Sequence, residues 1–218
     1  MAAERAEAAR PSGYRTTRME AFSDGVFAIA ITLLVLEIGV PDGSEGDLLG
    51  AVILQWPSYL TYLVSFSTIG AVWLEHTVIT EFLDRATPAL IRLNLLLLLL
   101  VSFLPFPTRL LGDYIGGSDA QRVAVTVYGI NLLLVSAVVS LMWRYAVWQS
   151  LIRTGVSAAD VSLITKRLTP GLAGYAVFLA AGLFFPIIAV FGYLVIAVYF
   201  IVPFAALRGV RRASRLEK

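Results

Sequence analysis

Residues 18–37, RMEAFSDGVFAIAITLLVLE, join a charged start to a long apolar run carrying polar side chains that a simple lipid anchor does not need. From Phe22 to Leu36 the run is interrupted only by Ser23, Asp24, Gly25 and Thr32. Such a segment can cross a bilayer while its first turn keeps an ionisable group near the surface. It reads as the functional helix of a membrane protein, with the rest of the chain arranged to hold it.

The composition agrees. Hydrophobic residues make up 58% of the 218 and the mean hydropathy is +0.81, whereas about half the residues of a soluble domain are apolar. The bilayer is therefore the solvent, and the length suits one domain. A net charge of +2 is too small to argue for a nucleic acid partner. Without cysteine, neither a disulfide framework nor a thiolate metal site is available. No cleaved signal peptide is expected, because the first apolar run follows a mixed-charge tail and lacks a small-residue cleavage site.

Outward from the first helix, residues 1–17 mix Ala, Glu, Arg, Pro, Ser and Gly without an apolar period and read as a disordered tail. The first span runs to about Val40 and stops at PDGSEGD, a short loop holding Asp42, Glu45 and Asp47. A second span is expected from Val52 to Glu75, with Pro57 in its first turn, where a missing N–H costs little. Residues 76–88 read as a loop or helical extension. A third span from Ala89 to Leu111 contains PFP, which bends or ends it. A fourth runs from Val123 to Tyr145. Ser157, backed by Asp160, is a plausible cap for a short interfacial helix bearing Val161, Ile164 and Leu168. From Leu172 to Leu207 come 36 uncharged residues, about right for two spans, with Pro186 marking the break.

The expectation is an all-α integral membrane protein with six transmembrane helices over residues 18–207 and a basic tail at 208–218. Charge supports the count independently. Apart from Arg109 and Arg122, every Lys and Arg falls in the N-terminal segment, the second-to-third connection, the fourth-to-fifth connection or the C-terminal tail. These are alternate connections, so the positive-inside rule puts both termini in the cytoplasm. Membrane lipids then account for the basic balance.

An enzyme is not expected, since one histidine, no cysteine, no HExxH and no GxSxG leave few ways to build a hydrolytic or metal site. At 100° per residue, Ile29, Leu33 and Leu36 stand within about 60° of one another. They form one apolar stripe. Ala21, Gly25, Ala28 and Thr32 form a neighbouring stripe of small residues, which permits close approach between membrane helices. Asp24 must be paired, hydrated or functional at this depth. Arg18, His76 and Asn94 are candidate partners, and both a buried polar brace and direct ion contact remain open. A carrier coupling solute movement to protons through Asp24 or Glu37 is the alternative to a channel, although the paired broken helices frequent in such carriers are missing.

The stretch resembles the RxxxFSD first helix of the transmembrane protein 175 family of potassium channels, with Arg18, Phe22, Ser23 and Asp24 filling the motif. WLEH at residues 73–76, Asn94 before a leucine-rich helix, and the PFPT closing it extend the likeness. The resemblance implies a potassium-permeable channel in a prokaryotic plasma membrane, with potassium as permeant ion and no cofactor or resident metal. It further implies that Ile29, then Leu33 and Leu36, form the pore constriction, with Thr32 beside them. Arg18, Phe22, Ser23, Asp24, Trp73, His76 and Asn94 would be a bracing network. One such motif occurs per chain, so the family pattern implies a homotetramer around a central pore.

Overall fold

The structure, a computed structural model, describes residues 14–39, 44–116 and 119–202. Of the tail read as disordered, residues 1–13 lie outside these residues, as does the basic tail, whereas residues 14–17 are ordered: Tyr14 pairs with Ala86, and Thr16 and Thr17 open the first helix. Regular structure within them is helical: α1 (Thr16–Leu33), continued by a 3-10 turn (Leu34–Glu37), α2 (Leu48–Leu54), α3 (Trp56–Glu81), α4 (Pro88–Phe103), α5 (Pro105–Tyr114), α6 (Asp119–Trp148), α7 (Ala158–Gly182) and α8 (Pro186–Ile201). Four stretches are long and apolar enough to cross a membrane: Thr16–Glu37, Trp56–Glu81, Pro88–Tyr114 and Asp119–Trp148. The apolar helix α8 is shorter, at 16 residues.

Prolines open four of the eight helices. Pro57, Pro88, Pro105 and Pro186 each lie in the first turn of a helix, where the absent N–H would have had no partner. PFP thus divides the third span into α4 and α5, and Pro186 opens α8.

Three boundaries differ most from the sequence reading. The second span starts at Trp56 instead of Val52, because Leu48–Leu54 forms its own helix, capped where the Asp47 carboxylate accepts from Gly50 N at 3.0 Å. The span also runs past Glu75 to Glu81. Most consequentially, the helix capped by Ser157 does not stop at the surface but continues through Pro170 to Gly182. Ile164, Leu168, Gly171 and Tyr175 are buried along one side at spacings of four and three, so a continuous packed face holds the helix across the one hydrogen bond that Pro170 removes.

Around α3, the helices α5, α6 and α8 pack into one core together with α7, which lies mainly against α6 and α8. Lipid gives helices no hydrophobic reason to associate, so close packing and interhelical hydrogen bonds hold them. Both are present. Ser65 on α3 bonds to Thr108 of α5 at 2.7 Å and Tyr128 of α6 at 2.9 Å, and Trp143 Nε1 donates to Thr165 on α7 at 2.8 Å. At Gly192 on α8, an added Cβ would stand 2.2 Å from the Phe178 ring of α7. The two helices can meet there only because glycine is present.

At the end of the molecule where α1 starts, backbone pairing ties three connections together. Tyr14 and Ala86 exchange both hydrogen bonds, at 2.8 and 3.0 Å, while Asp84 N donates to Leu151 O and Arg153 N to Phe82 O, each at 2.9 Å. The start of α1 is thereby anchored to the α3–α4 loop, and that loop to the α6–α7 loop.

Candidate functional site: the first helix and its polar brace

Met19, Ser23, Phe27, Ala30 and Leu34 repeat at spacings of four and three and are all buried. This single stripe faces α3 and α4. Val26 and Ile31 flank it half-buried, and the rest of the helix is largely uncovered: only 28% of its apolar window is buried, against 39% to 56% in the other three candidate spans. Ile29 is 62% exposed, Leu33 41% and Leu36 74%. At 100° per residue their stripe lies about 110° round the helix from the buried one, while Ala21, Gly25, Ala28 and Thr32 lie almost opposite it. A Cβ added at Gly25 would meet nothing within 4 Å. The Thr32 hydroxyl, also exposed, is satisfied within its own helix by the carbonyls of Ala28 at 3.0 Å and Ile29 at 2.9 Å.

The polar residues of the first two turns hold α1 to its neighbours. Ser23, with no exposed surface, donates to Met19 O at 2.8 Å and accepts from Asn94 Nδ2 on α4 at 2.9 Å. Asn94 Oδ1 lies 2.9 Å from His76 Nε2 on α3. An amide oxygen can only accept, so His76 Nε2 carries the proton in this contact. The His76 ring packs against Phe27 with centroids 5.6 Å apart. Trp73 Nε1 donates to Asp24 Oδ1 at 2.8 Å, closer to the surface. One buried chain, Ser23–Asn94–His76, and one outer bond, Asp24–Trp73, therefore join three helices.

Asp24 thus meets Trp73 and not Arg18, His76 or Asn94, the partners its depth suggested; it is Ser23, one position earlier, that faces Asn94. Arg18 and Phe22 are exposed and stand apart from the cluster, since at 100° per residue they fall on the same side of α1 as Ile29 and Leu36. Glu37 lies at the far end of the helix, 13 residues or about 20 Å from Asp24. Among the described residues no group of three His, Cys, Asp or Glu could hold a metal ion. Sequence reasoning missed Glu75, which it placed at the end of a span and which lies inside α3 with its Oε1 buried. Its position between Trp73 and His76 was the available signal.

This arrangement defines a membrane-embedded all-α protein built on a first helix braced from one side and open on the others. The family described as endosomal/lysosomal potassium channel TMEM175 matches residues 18–105. A potassium channel of Chamaesiphon minutus is 44% identical over 168 residues, covering 74% of this chain and 82% of that protein. One from Streptomyces collinus is 43% identical over 166 residues, covering 72% and 78%. The crystal structure of a lysosomal potassium-selective channel TMEM175 homolog from Chamaesiphon minutus superposes with a TM-score of 0.79 at 40% identity, over 86% of this chain and 96% of that one. The chain belongs to the TMEM175 family.

Proposed function

We propose that this protein is a potassium-permeable channel of a prokaryotic plasma membrane, formed by four copies whose first helices line a central pore. Six spans cross the membrane over residues 18–207, with α7 and α8 supplying the last two and both termini in the cytoplasm. The tails at 1–17 and 208–218 lie outside the membrane domain, the latter against anionic lipid. The observation that carries this reading is the division of α1 into one buried stripe and an apolar stripe, Ile29, Leu33 and Leu36, that its own subunit leaves largely exposed.

In the assembly this stripe faces the axis and makes the narrowest point. An apolar ring closes by losing its water, and an open ring favours the ion whose hydration shell is cheaper to disturb. Potassium holds its water less tightly than sodium, so it passes more readily. With no ring of carbonyls replacing the shell, selectivity is modest. Thr32 adds a hydroxyl beside the ring, and Arg18, Phe22, Ser23, Asp24, Trp73, His76 and Asn94 form the brace that fixes its diameter, the first two through the neighbouring copy. Asp24 acts as a holding group because its carboxylate is already engaged by Trp73.

Reconstitution into liposomes with potassium or sodium gradients tests the proposal. Potassium flux exceeds sodium flux, and Ile29→Asn wets the ring and raises flux or narrows the difference between the ions. Unchanged flux and selectivity in that variant would remove Ile29 from the constriction. Saturable solute uptake with stoichiometric proton movement would instead establish the carrier that uses Asp24 or Glu37.

A further inference from the structure

The hairpin of α6 and α7 carries two cations on its outer side. Trp143 Nε1 of α6 donates to Thr165 of α7 at 2.8 Å, which fixes the register of these antiparallel helices near the loop that joins them. In an antiparallel pair, the residue after each member of a facing couple turns to the same side of the contact. Arg144 and Lys166 therefore stand side by side, and both are exposed. Each lies about 160° round its helix from buried residues, Met142 and Ala146 on α6 and Ile164 and Leu168 on α7. The two side chains thus point away from the core, and α7 packs mainly against α6 and α8 while α1 packs against α3 and α4.

Among the described residues neither cation has an ion-pair or hydrogen-bond partner. Asp160, the acidic residue of α7, is engaged by Ser157 Oγ at 2.7 Å and stands about 120° round the helix from Lys166. Two like charges side by side favour an anion between them, and packed helices about 8–10 Å apart let both long side chains reach it. The level is set by Trp148, 75% exposed and one turn beyond Arg144 at the end of α6, since tryptophan at the end of a membrane helix sits among the headgroups. From Lys166 inward, the same side of α7 runs through Thr169, Ala173, Ala176 and Ala180, all exposed. These small residues leave a shallow strip open to an acyl chain. A free anion would have no use for the strip or for the indole.

We propose that the outer groove between α6 and α7 binds an anionic phospholipid, its phosphate held between Arg144 and Lys166 and one acyl chain laid along Ala173, Ala176 and Ala180. Basic groups between helices at this level are the usual holders of anionic headgroups. In the orientation proposed above, the lipid belongs to the cytoplasmic leaflet; its binding does not depend on what the pore conducts.

Native mass spectrometry of the purified protein with added phosphatidylglycerol or phosphatidylcholine tests the site, alongside melting temperatures in phosphatidylcholine. The wild-type chain retains phosphatidylglycerol in preference to phosphatidylcholine. A basic residue near an anionic headgroup contributes about fivefold, so Arg144→Gln combined with Lys166→Gln weakens phosphatidylglycerol binding about thirtyfold. Its melting temperature in phosphatidylcholine stays at the wild-type value, because neither side chain holds another part of the protein. Arg144→Lys, which keeps the charge, retains most of the binding, and Arg122→Gln near the opposite end of α6 leaves it unchanged. Equal retention of the two lipids, unaltered binding in the double variant, a lowered melting temperature of that variant in phosphatidylcholine, or displacement of the lipid by inorganic phosphate at equal concentration would overturn the proposal.

Discussion

The indole Nε1 of Trp73 donates to the carboxylate of Asp24 at 2.8 Å, and three residues further along α3 His76 meets Asn94, which in turn holds Ser23. Adjacent residues of the first helix are thus held by different neighbours. The Ser23 arm is buried and the Asp24 arm is exposed, so the two arms should differ in strength.

Asn94→Leu removes both interhelical bonds of the inner arm and leaves Ser23 and His76 facing apolar surface. Interhelical hydrogen bonds in membranes contribute roughly 0.6 and at most about 1.7 kcal/mol each, and an orphaned buried donor adds to the loss. Destabilisation of about 1–3 kcal/mol is expected in thermal unfolding in detergent. A loss smaller than that of the outer-arm variants would show that the buried chain is not the stronger tie.

Trp73→Phe keeps the ring and deletes one exposed bond, so its cost should stay below about 1 kcal/mol. Combined with Asp24→Ala, it should add little to the single substitution, because both remove the same contact. Additive losses in the melting temperature would mean that Asp24 is held by something else.

Gly192→Ala places a methyl group inside the ring of Phe178. Forcing such a contact costs about 1–3 kcal/mol, and the hairpin of α7 and α8 should loosen. Adding Phe178→Leu opens space and should restore part of the melting temperature; no recovery would mean that the strain has spread beyond this pair.

Leu34→Asn and Leu33→Asn provide a contrast between neighbouring positions. Leu34 has no exposed surface while Leu33 is 41% exposed, so the first should reduce the yield of folded protein and the second should change ion flux in protein that folds. Equal effects on folding and flux would contradict the division of α1 into a packed stripe and a pore stripe.

Much of this organisation is legible in the residues. Local chemistry located the breaks at PFP and Pro186 and the cap at Ser157, since a missing N–H or a side-chain acceptor acts within one turn. The 3.6-residue period set the relation between Ile29, Leu33 and Leu36. What was not legible depends on partners distant in sequence. Pro170 fails to end a helix because Ile164, Leu168, Gly171 and Tyr175 find packing on both sides of it. The seven-residue helix at Leu48–Leu54 is not separable from the following span, whose expected start at Val52 falls inside it, because both are apolar. Asp24 demands a partner, but it meets Trp73 and not His76 because Trp73 stands at the exposed edge of the α1–α3 contact, where Asp24 lies, while His76 is buried. Glu75 reads as a span end because nothing nearby announces that α3 continues to Glu81.

The chain contains no cysteine, so a single thiol can be introduced without altering any other position. Currents recorded from reconstituted Ile29→Cys protein before and after a charged thiol reagent test the pore directly. If the stripe lines the conduction path, the reagent blocks or sharply changes the potassium current of Ile29→Cys and leaves that of Ala30→Cys, which faces the packed interior with 1% exposure, unaltered. Persistent potassium current through fully labelled Ile29→Cys protein would contradict the account.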